Sequence, residues 1–152
     1  MRIGFSKDIH NKVEGKKIVL GGIVIESNFA VNAYSDGDVL IHSICEALLG
    51  AMGLDDLGSY FSKDNQIENF SSIKIVDFTK NILKEKRFKI TNIDTLIMVD
   101  SLIIKNYKES LKRGISDLFG IEEKKIAIKA TTSENNFVDF IECSSVVLIE
   151  EV

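Results

Sequence analysis

The two histidines of the chain, His10 and His42, stand near acidic residues at spacings that suit a metal centre. Asp8 and His10 are two residues apart in a segment with the pattern of a strand, so their side chains leave the same face. His42 follows Asp38 by one turn of a predicted helix. One carboxylate and two neutral imidazoles suit Zn²⁺, and three protein ligands leave a fourth position for substrate. Two surface histidines beside a hydrogen-bonding carboxylate would have the same spacing, so the spacing alone leaves both interpretations open.

The segment before His42 predicts the start of a helix. Ser35 and Asp38 have the S-x-x-D spacing of a capping box, in which side-chain oxygens accept from free backbone N–H groups. Asp38, His42 and Glu46 then recur at helical spacing as a polar stripe. A capped amphipathic helix with a solvated acidic edge would explain the same stripe without any chemistry.

The rest of the pattern predicts the elements that must position these side chains. Strands are predicted at 2–10, 18–20, 23–25, 91–99, 126–132 and 140–150, and helices at 35–53, from Ser71 or Ser72 to about Lys86, and at 106–119. Gly21-Gly22 between two β-branched runs predicts a hairpin with positive φ at its turn. Residues 55–70 lack periodicity and predict a polar loop. The order predicts an α/β (α+β) fold of a single domain over 1–152, with a mixed sheet and helices packed on one face.

The composition limits the classes of function. The chain has 152 residues, a net charge of −4 and 45% hydrophobic residues, and it has no basic stripe. We therefore expect a globular protein with no nucleic-acid partner. Its apolar runs are far shorter than the roughly 20 residues that cross a membrane. Cys45 and Cys143 are too few and too far apart for a disulfide scaffold, so a cytoplasmic location is expected.

Several short motifs follow one another along nearly the whole chain. They are Met1-Arg2-Ile3-Gly4, Asp8-x-His10, the Gly21-Gly22 hairpin, Ser-Asp-Gly-Asp-x-x-x-His at 35–42, Ala-Leu-Leu-Gly-Ala at 47–51, Asp56-Leu57-Gly58, Phe61 and Lys129-Ala130-Thr131-Thr132-Ser133-Glu134. Together they resemble the 2-C-methyl-D-erythritol 2,4-cyclodiphosphate synthase family of the non-mevalonate isoprenoid pathway. The stretch at 35–42 is the most specific part of this resemblance, and motifs that arose by chance on an ordinary α/β domain would not share this order.

The resemblance implies a lyase that cyclises 4-diphosphocytidyl-2-C-methyl-D-erythritol 2-phosphate and releases CMP. It implies one Zn²⁺ per subunit and a second ion, Mg²⁺ or Mn²⁺, held by Glu134. Thr132 would stabilise the transition state by hydrogen bonding, and Tyr34 stands where the family has a catalytic histidine. The implied zinc ligands are Asp8, His10 and His42, and Asp38 would support them without binding the ion itself.

The resemblance also implies where substrate and partner subunits bind. It implies a homotrimer whose sheets face the three-fold axis, with active sites between subunits and the cytidylyltransferase of the same pathway as a candidate partner. The compartment would be the cytoplasm or the lumen of a plastid-type organelle. The implied substrate-binding residues are Asp8, His10, Tyr34, Ser35, Asp56, Leu57, Gly58, Phe61, Asp64, Thr131, Thr132, Ser133 and Glu134. The implied cytidine turn is Val99, Asp100, Ser101, Leu102, Ile103, Ile104 and Lys105.

The sequence departs from the family pattern at four places. Phe5-Ser6-Lys7 replaces His-Gly-Phe, Tyr34 replaces the histidine before the 35–42 motif, and Ser101-Leu102 stand where a Pro-Lys pair is usual. Residues 135–140 form a shorter loop than the family's Gly-rich loop and contain no arginine, so we expect no ligand site on the trimer axis and weaker nucleotide binding. These departures leave a second interpretation open, a trimeric zinc- or nucleotide-binding relative that has lost turnover.

Overall fold

The computed structural model describes residues 1–62, 64 and 69–152. Within these residues the strands are β1 (Arg2–Val13), β2 (Lys17–Leu20), β3 (Ile23–Glu26), β4 (Ala30–Asn32), β5 (Phe88–Met98), β6 (Ile126–Thr131) and β7 (Phe140–Glu151). The helices are α1 (Val39–Ala51), α2 (Leu57–Tyr60), α3 (Ile73–Glu85) and α4 (Lys108–Phe119), with short 3-10 helices at Ile104–Tyr107 and Glu123–Lys125. No helix of the described ranges is both long enough and apolar enough to cross a membrane.

The main sheet is mixed, as predicted. Its strand order is β4-β1-β7-β5-β6. The central strand β7 runs antiparallel to both β1 and β5, whereas β5 and β6 run parallel. The C-terminal ends of β1, β5 and β6 and the start of β7 therefore lie at the same edge of the sheet.

Helices cover one face of this sheet, which confirms the predicted layering. Helix α1 packs on β1 and β7, α3 packs on β5 and α4 packs on β6. Side chains alternate along each strand, so inward residues such as Ile93, Ile97 and Val147 join the core with Ile44 and Leu48 of α1. We call the opposite side the open face, and it exposes the apolar side chains of Ile3, Phe5, Ile9, Val13, Leu96 and Val146.

The predicted glycine hairpin is confirmed. Strands β2 and β3 form a two-stranded sheet of their own, with Leu20 paired to Ile23. Gly21 and Gly22 have φ of +59° and +78°, the left-handed conformation that a type I′ hairpin turn requires at both positions.

Some element boundaries differ from the prediction for physical reasons. Strand β1 continues past His10 to Val13 because the short strand β4, which was not predicted, pairs with its last three residues. Strand β5 begins at Phe88, earlier than predicted, because residues 88–90 already pair with β7. A bulge between Ile90 and Asn92 interrupts the alternation, so the sequence pattern does not show this first part of the strand. The segment predicted as a polar loop contains α2, whose start is capped by Asp56.

The predicted cap of α1 is wrong in detail. The helix begins at Val39, and the cap is Asp38, whose carboxylate accepts from the backbone N–H of Ile41. The hydroxyl of Ser35 accepts instead from the N–H of Gly37, two residues further along the chain. The left-handed Gly37 (φ +73°) turns the chain between Ser35 and the helix, so Ser35 stands too early to cap it.

Candidate metal centre

Two packed elements bring the predicted metal ligands together. Asp8 and His10 lie on the helix-facing side of β1, together with Gly4, because all three are separated by even numbers of residues. Helix α1, which carries His42, crosses β1 at Gly4, where any Cβ would lie 1.9 Å from the carbonyl oxygen of Ala47. This close approach of the two backbones places His42 beside Asp8 and His10.

The side chains of Asp8, His10 and His42 form one cluster. Their ligand atoms all lie within 4.8 Å of one another. Asp8 Oδ2 is 3.2 Å from His10 Nε2 and 3.3 Å from His42 Nδ1. The side chains are 26%, 17% and 14% exposed, so the cluster lies just below the surface and is open to a small ligand.

Two buried atoms of the cluster lack a hydrogen-bond partner among the described residues, which fits a bound cation. Asp8 Oδ2 and His10 Nε2 are buried and accept or donate no hydrogen bond within the described part of the chain. A buried polar atom without a partner costs about 1–3 kcal/mol, and a metal ion between these atoms would remove that cost. One carboxylate and two imidazoles form a donor set that suits a divalent transition metal. This geometry argues against the interpretation of the histidines as ordinary surface residues.

The cluster is electrostatically coupled. Burial raises the pKa of Asp8, but the adjacent imidazoles of His10 and His42 outweigh burial and bring the pKa from 3.8 down to about 2. Burial lowers the pKa of His42, but the contact with Asp8 outweighs burial and raises the pKa above its ordinary value. In the metal-free protein the carboxylate is therefore ionised at neutral pH, as a metal ligand must be.

The second ring nitrogen of His42 contacts residues that were not predicted to belong to the site. His42 Nε2 lies 2.9 Å from Ser72 Oγ and 3.2 Å from Ser35 Oγ. The Ser72 hydroxyl donates to Asp36 Oδ1, and the Ser72 N–H donates to Asp36 Oδ2 at 2.8 Å. Ser72 stands at the predicted start of α3, but its side chain makes no capping hydrogen bond. Its position at a helix start was the only signal in the sequence, and that signal predicted a different role.

Asp38 supports the site through the backbone. Its fully buried carboxylate accepts from the N–H groups of Gly21, Gly22 and Ile41 at 3.0, 2.7 and 3.0 Å. Burial raises the pKa of Asp38 despite these donors. The predicted polar stripe is therefore not a solvated edge, because its first member is enclosed and joins the glycine hairpin to the start of α1.

The predicted substrate loop is attached to the helix that carries His42. Glu46, one turn after His42, accepts from the N–H of Leu57 at 3.0 Å, and Asp56 caps α2 by accepting from the N–H of Ser59 at 2.9 Å. Phe61 stacks on Phe70 with ring centroids 5.9 Å apart, whereas Gly58 is exposed. Asp64 is exposed, and Lys63, which precedes it in the segment from Phe61 to Asp64, lies outside the described residues.

The predicted cytidine segments lie side by side. A cavity of about 600 Å³ is lined by Val99, Asp100, Ser101, Leu102, Ile103, Ile104 and Lys105 together with Ala130, Thr131 and Thr132. Asp100 accepts from the N–H of Ser133 at 2.8 Å and from its hydroxyl, so the two segments are held together at the end of β5. A larger cavity of about 910 Å³ lies at the other end of β5 and contains none of the predicted site residues.

The remaining predicted site residues lie outside the cluster of metal ligands. Thr132 and Glu134 are exposed, and the Thr132 hydroxyl donates to Glu134 Oε1 at 3.1 Å. Glu134 is not among the residues described that meet at Asp8, His10 and His42. Tyr34 is half-buried and packs edge-on against Phe70 with centroids 6.3 Å apart. The chain therefore presents a cluster of candidate metal ligands, a separate cavity, and the exposed carboxylate of Glu134 in contact with Thr132 of that cavity.

Comparisons with known proteins identify the same family as the sequence motifs. The model of the YgbB family matches residues 1–150. The 2-C-methyl-D-erythritol 2,4-cyclodiphosphate synthase of Aquifex aeolicus (strain VF5) is 39% identical over 135 residues, which are 88% of this chain and 86% of that protein.

Solved structures agree with this comparison. The chain is similar to the CDP complex of IspF from Plasmodium falciparum, with a TM-score of 0.87, 30% identity and coverage of 99% of this chain and 96% of that chain. It is also similar to the bifunctional IspDF from Campylobacter jejuni, with a TM-score of 0.92, 30% identity and coverage of 99% of this chain and 42% of that chain.

Proposed function

The chain belongs to the YgbB family, and on that basis we propose that it converts 4-diphosphocytidyl-2-C-methyl-D-erythritol 2-phosphate into 2-C-methyl-D-erythritol 2,4-cyclodiphosphate and CMP. One observation in this chain carries the proposal. Asp8, His10 and His42 meet at a half-buried cluster in which Asp8 Oδ2 and His10 Nε2 have no hydrogen-bond partner among the described residues. The relatives named as synthases favour an active enzyme over a binding protein without turnover.

The reaction must bring two anionic groups together. An oxygen of the 2-phosphate attacks the β-phosphorus, the bond from that phosphorus to the oxygen of the α-phosphate breaks, and CMP leaves with that oxygen. Two unit charges about 4 Å apart repel each other by about 1 kcal/mol in water and by about 4 kcal/mol near a protein surface. The site must therefore supply positive charge and hold the phosphates in line.

We assign Zn²⁺ to Asp8, His10 and His42, with its fourth position left for substrate. A bound cation there supplies Lewis-acid polarisation of a phosphate oxygen and neutralises developing charge. The protein supplies the carboxylate of Asp8, which stays ionised because the adjacent imidazoles lower its pKa to about 2. We assign the second ion, Mg²⁺ or Mn²⁺, to Glu134, whose exposed carboxylate stands outside the first cluster.

The other residues bind and orient the substrate. The cavity formed by residues 99–105 and Thr131–Thr132 would take the cytidine, and the relative from Plasmodium falciparum was solved with CDP. The exposed Thr132 hydroxyl now donates to Glu134 and can turn to donate to a phosphate oxygen as charge develops. Asp56, Leu57 and Gly58 would close over the erythritol portion from the end of α1, and Tyr34 would add a phenolic hydrogen bond but no cationic charge.

We propose that the active protein is a homotrimer. The open face of the sheet exposes six large apolar side chains: Ile3, Phe5, Ile9, Val13, Leu96 and Val146. Charges on this face pair with one another, since Lys7 contacts Glu142 at 3.2 Å and Lys129 contacts Asp94 at 2.8 Å. A face of this kind is typical of a subunit interface. Subunits packed through it would bring the metal cluster of one copy toward the cytidine cavity of the next.

Two further assignments are proposals of the same kind. The similarity to the bifunctional IspDF supports a link with the cytidylyltransferase of the pathway, since that chain joins this fold to a second part. Both cysteines are free thiols, which supports a reducing compartment such as the cytoplasm.

The assay that tests the function is release of CMP. The purified chain is incubated with 4-diphosphocytidyl-2-C-methyl-D-erythritol 2-phosphate, Zn²⁺ and Mg²⁺, and CMP and the cyclic diphosphate are measured. We expect equal amounts of both products and no reaction after removal of divalent ions with a chelator. A protein that binds zinc stoichiometrically but releases no CMP at any substrate concentration would support the binding protein without turnover instead.

A further inference from the structure

We infer that Ser72 and Asp36 are positioning residues of the metal centre, because they hold the proton of His42 on Nε2 and leave the Nδ1 lone pair facing Asp8 and His10. The sequence motifs assign no such role to either residue. The inference rests on the metal centre proposed above but not on the reaction.

The direction of the hydrogen bonds follows from the number of hydrogens. A serine hydroxyl has one hydrogen, and that of Ser72 is donated to Asp36 Oδ1. Both oxygens of Asp36 accept from Ser72, one from its N–H and one from its hydroxyl. Ser72 Oγ, 2.9 Å from His42 Nε2, can then only accept from that nitrogen. His42 Nε2 therefore carries a proton.

The weaker contact to Ser35 is consistent with this assignment. Ser35 Oγ lies 3.2 Å from His42 Nε2 and accepts from the N–H of Gly37. If Ser35 donated to Nε2, that nitrogen would present a lone pair, and the lone pairs of Ser72 Oγ would face it at 2.9 Å. Repulsion at that distance excludes this arrangement as long as the Ser72 hydroxyl donates its hydrogen to Asp36.

The fold holds Ser72 in this position. Asp36 accepts from the backbone N–H of Ser72 as well as from its hydroxyl, so both the backbone and the side chain of Ser72 are held in place. The chain around Asp36 pairs with the chain before α3, since the N–H of Asp36 donates to Phe70 at 3.0 Å and the N–H of Asn69 donates to Tyr34 at 2.7 Å. Ser72 is fully buried, and its hydroxyl is turned away from the helix end that it would otherwise cap.

The fixed proton decides which nitrogen is available to a cation. With the proton on Nε2, Nδ1 offers its lone pair at 3.3 Å from Asp8 Oδ2, where the ligand atoms converge. Without the Ser72 hydroxyl, Ser35 is free to donate to Nε2, and the imidazole proton can move to Nδ1, where it blocks the metal position. Loss of such supporting contacts weakens metal binding by about 10–100-fold in other proteins.

The first test compares zinc affinities of two adjacent serine variants. Ser72→Ala removes the hydroxyl that accepts from His42. Ser71→Ala is the matched control, because Ser71 is exposed and its hydroxyl accepts only a long contact of 3.3 Å from the N–H of Ile73 among the described residues. Competition with a chromophoric chelator should show Kd for Zn²⁺ raised by about 10–100-fold in Ser72→Ala and by less than about 2-fold in Ser71→Ala.

The second test detects the proton of His42 directly, first in the unaltered protein and then in Ser72→Ala. In the zinc-loaded protein with ¹⁵N-labelled histidine, long-range ¹H–¹⁵N spectra should show His42 protonated at Nε2 and bound to the metal through Nδ1. Ser72→Ala should lose the hydrogen-bonded Nε2–H signal, an effect that a merely structural role would not produce. If Ser72→Ala does not fold, the spectrum of the unaltered protein decides alone.

The outcomes separate this inference from the proposed function. Equal zinc affinities of Ser72→Ala and Ser71→Ala, or an unprotonated Nε2 in the zinc-loaded protein, overturn the inference and leave the metal centre intact. An unaltered protein that binds no zinc overturns the metal centre itself, and the inference with it.

Discussion

The backbones of Gly4 and Ala47 touch where α1 crosses β1: a Cβ on Gly4 would lie 1.9 Å from the Ala47 carbonyl oxygen. Gly4 is on the strand that carries Asp8 and His10, and Ala47 is on the helix that carries His42. This contact therefore sets the distance between the two parts of the metal cluster.

The first prediction concerns this contact. Gly4→Ala must push α1 away from β1 and should lower the free energy of unfolding by about 2–4 kcal/mol, with weaker zinc binding. Gly50→Ala is the control on the same helix, because its Cβ would meet nothing within 4 Å. A helical alanine there should raise stability by up to about 1 kcal/mol. Urea denaturation measures both, and equal stabilities would contradict the steric argument.

The second prediction concerns His42. His42→Ala should remove bound zinc and lower CMP release by at least about 100-fold, since a ligand is lost while alanine keeps the helix. Zinc content by elemental analysis and far-UV circular dichroism separate metal loss from unfolding. Full zinc content together with an unchanged rate would show that the ligand assignment is wrong.

The third prediction concerns the second ion. Glu134→Gln should raise the Mg²⁺ concentration for half-maximal CMP release by about 10-fold or more, because a neutral amide is a weaker ligand for a hard cation. Zinc content should not change, since Glu134 lies outside the cluster of Asp8, His10 and His42. Glu123→Gln, another exposed glutamate, is the control. An unchanged Mg²⁺ requirement in Glu134→Gln would count against its role.

The fourth prediction concerns stability against pH in the metal-free protein. The pKa of Asp8 is lower in the folded chain, about 2, than its ordinary value of 3.8. Its stabilising contribution is therefore present above pH 3.8 and is lost as the pH falls toward 2, by about 2 kcal/mol in total. Urea unfolding at pH 5 and pH 2.5 measures the loss. Asp8→Asn should lose less stability than the unaltered protein over this interval, and an equal loss would contradict the assignment.

The fifth prediction concerns the open face. Phe5→Asp places a charge on a side chain that is 66% exposed in one subunit, and it should convert a trimer of the 17.0 kDa chain into monomers. Val24→Asp, at a position 63% exposed on the hairpin, should leave the trimer intact. Light scattering after size exclusion gives both masses. A monomeric unaltered protein would contradict the proposed assembly.

Local patterns in the sequence were sufficient for most of the elements and for placing Asp8 and His10 on one face, whereas the set of three candidate metal ligands came from the family resemblance. The Gly21-Gly22 turn depends on two adjacent residues, and Asp8, His10 and Gly4 share a face because of strand alternation alone. The family resemblance is confirmed by the match to residues 1–150. Features set by a few neighbouring residues are therefore accessible from the sequence.

Contacts between residues that lie far apart in the chain could not be predicted from the sequence. Ser72 lies 30 residues from His42 in the chain, and the segment between α1 and α3 has no periodicity that would predict their approach. The cap of α1 was misplaced because Ser35 and Asp38 both have side chains that can accept from a free N–H, and only the left-handed turn at Gly37 decides between them. The burial of Asp38 could not be predicted, because the sequence does not show that the hairpin covers it.

The carboxylate of Asp38 has a consequence for motion in the site. Its hydrogen bonds join the backbone amides of Gly21 and Gly22 to the first turn of α1. Local opening of the hairpin would leave the fully buried carboxylate of Asp38 without two of its backbone donors, so hairpin and helix should exchange their amide hydrogens with solvent as one cooperative unit. Because the N–H of His42 donates to the carbonyl oxygen of Asp38 at 3.0 Å, we expect opening of the glycine turn to affect the helix backbone at His42.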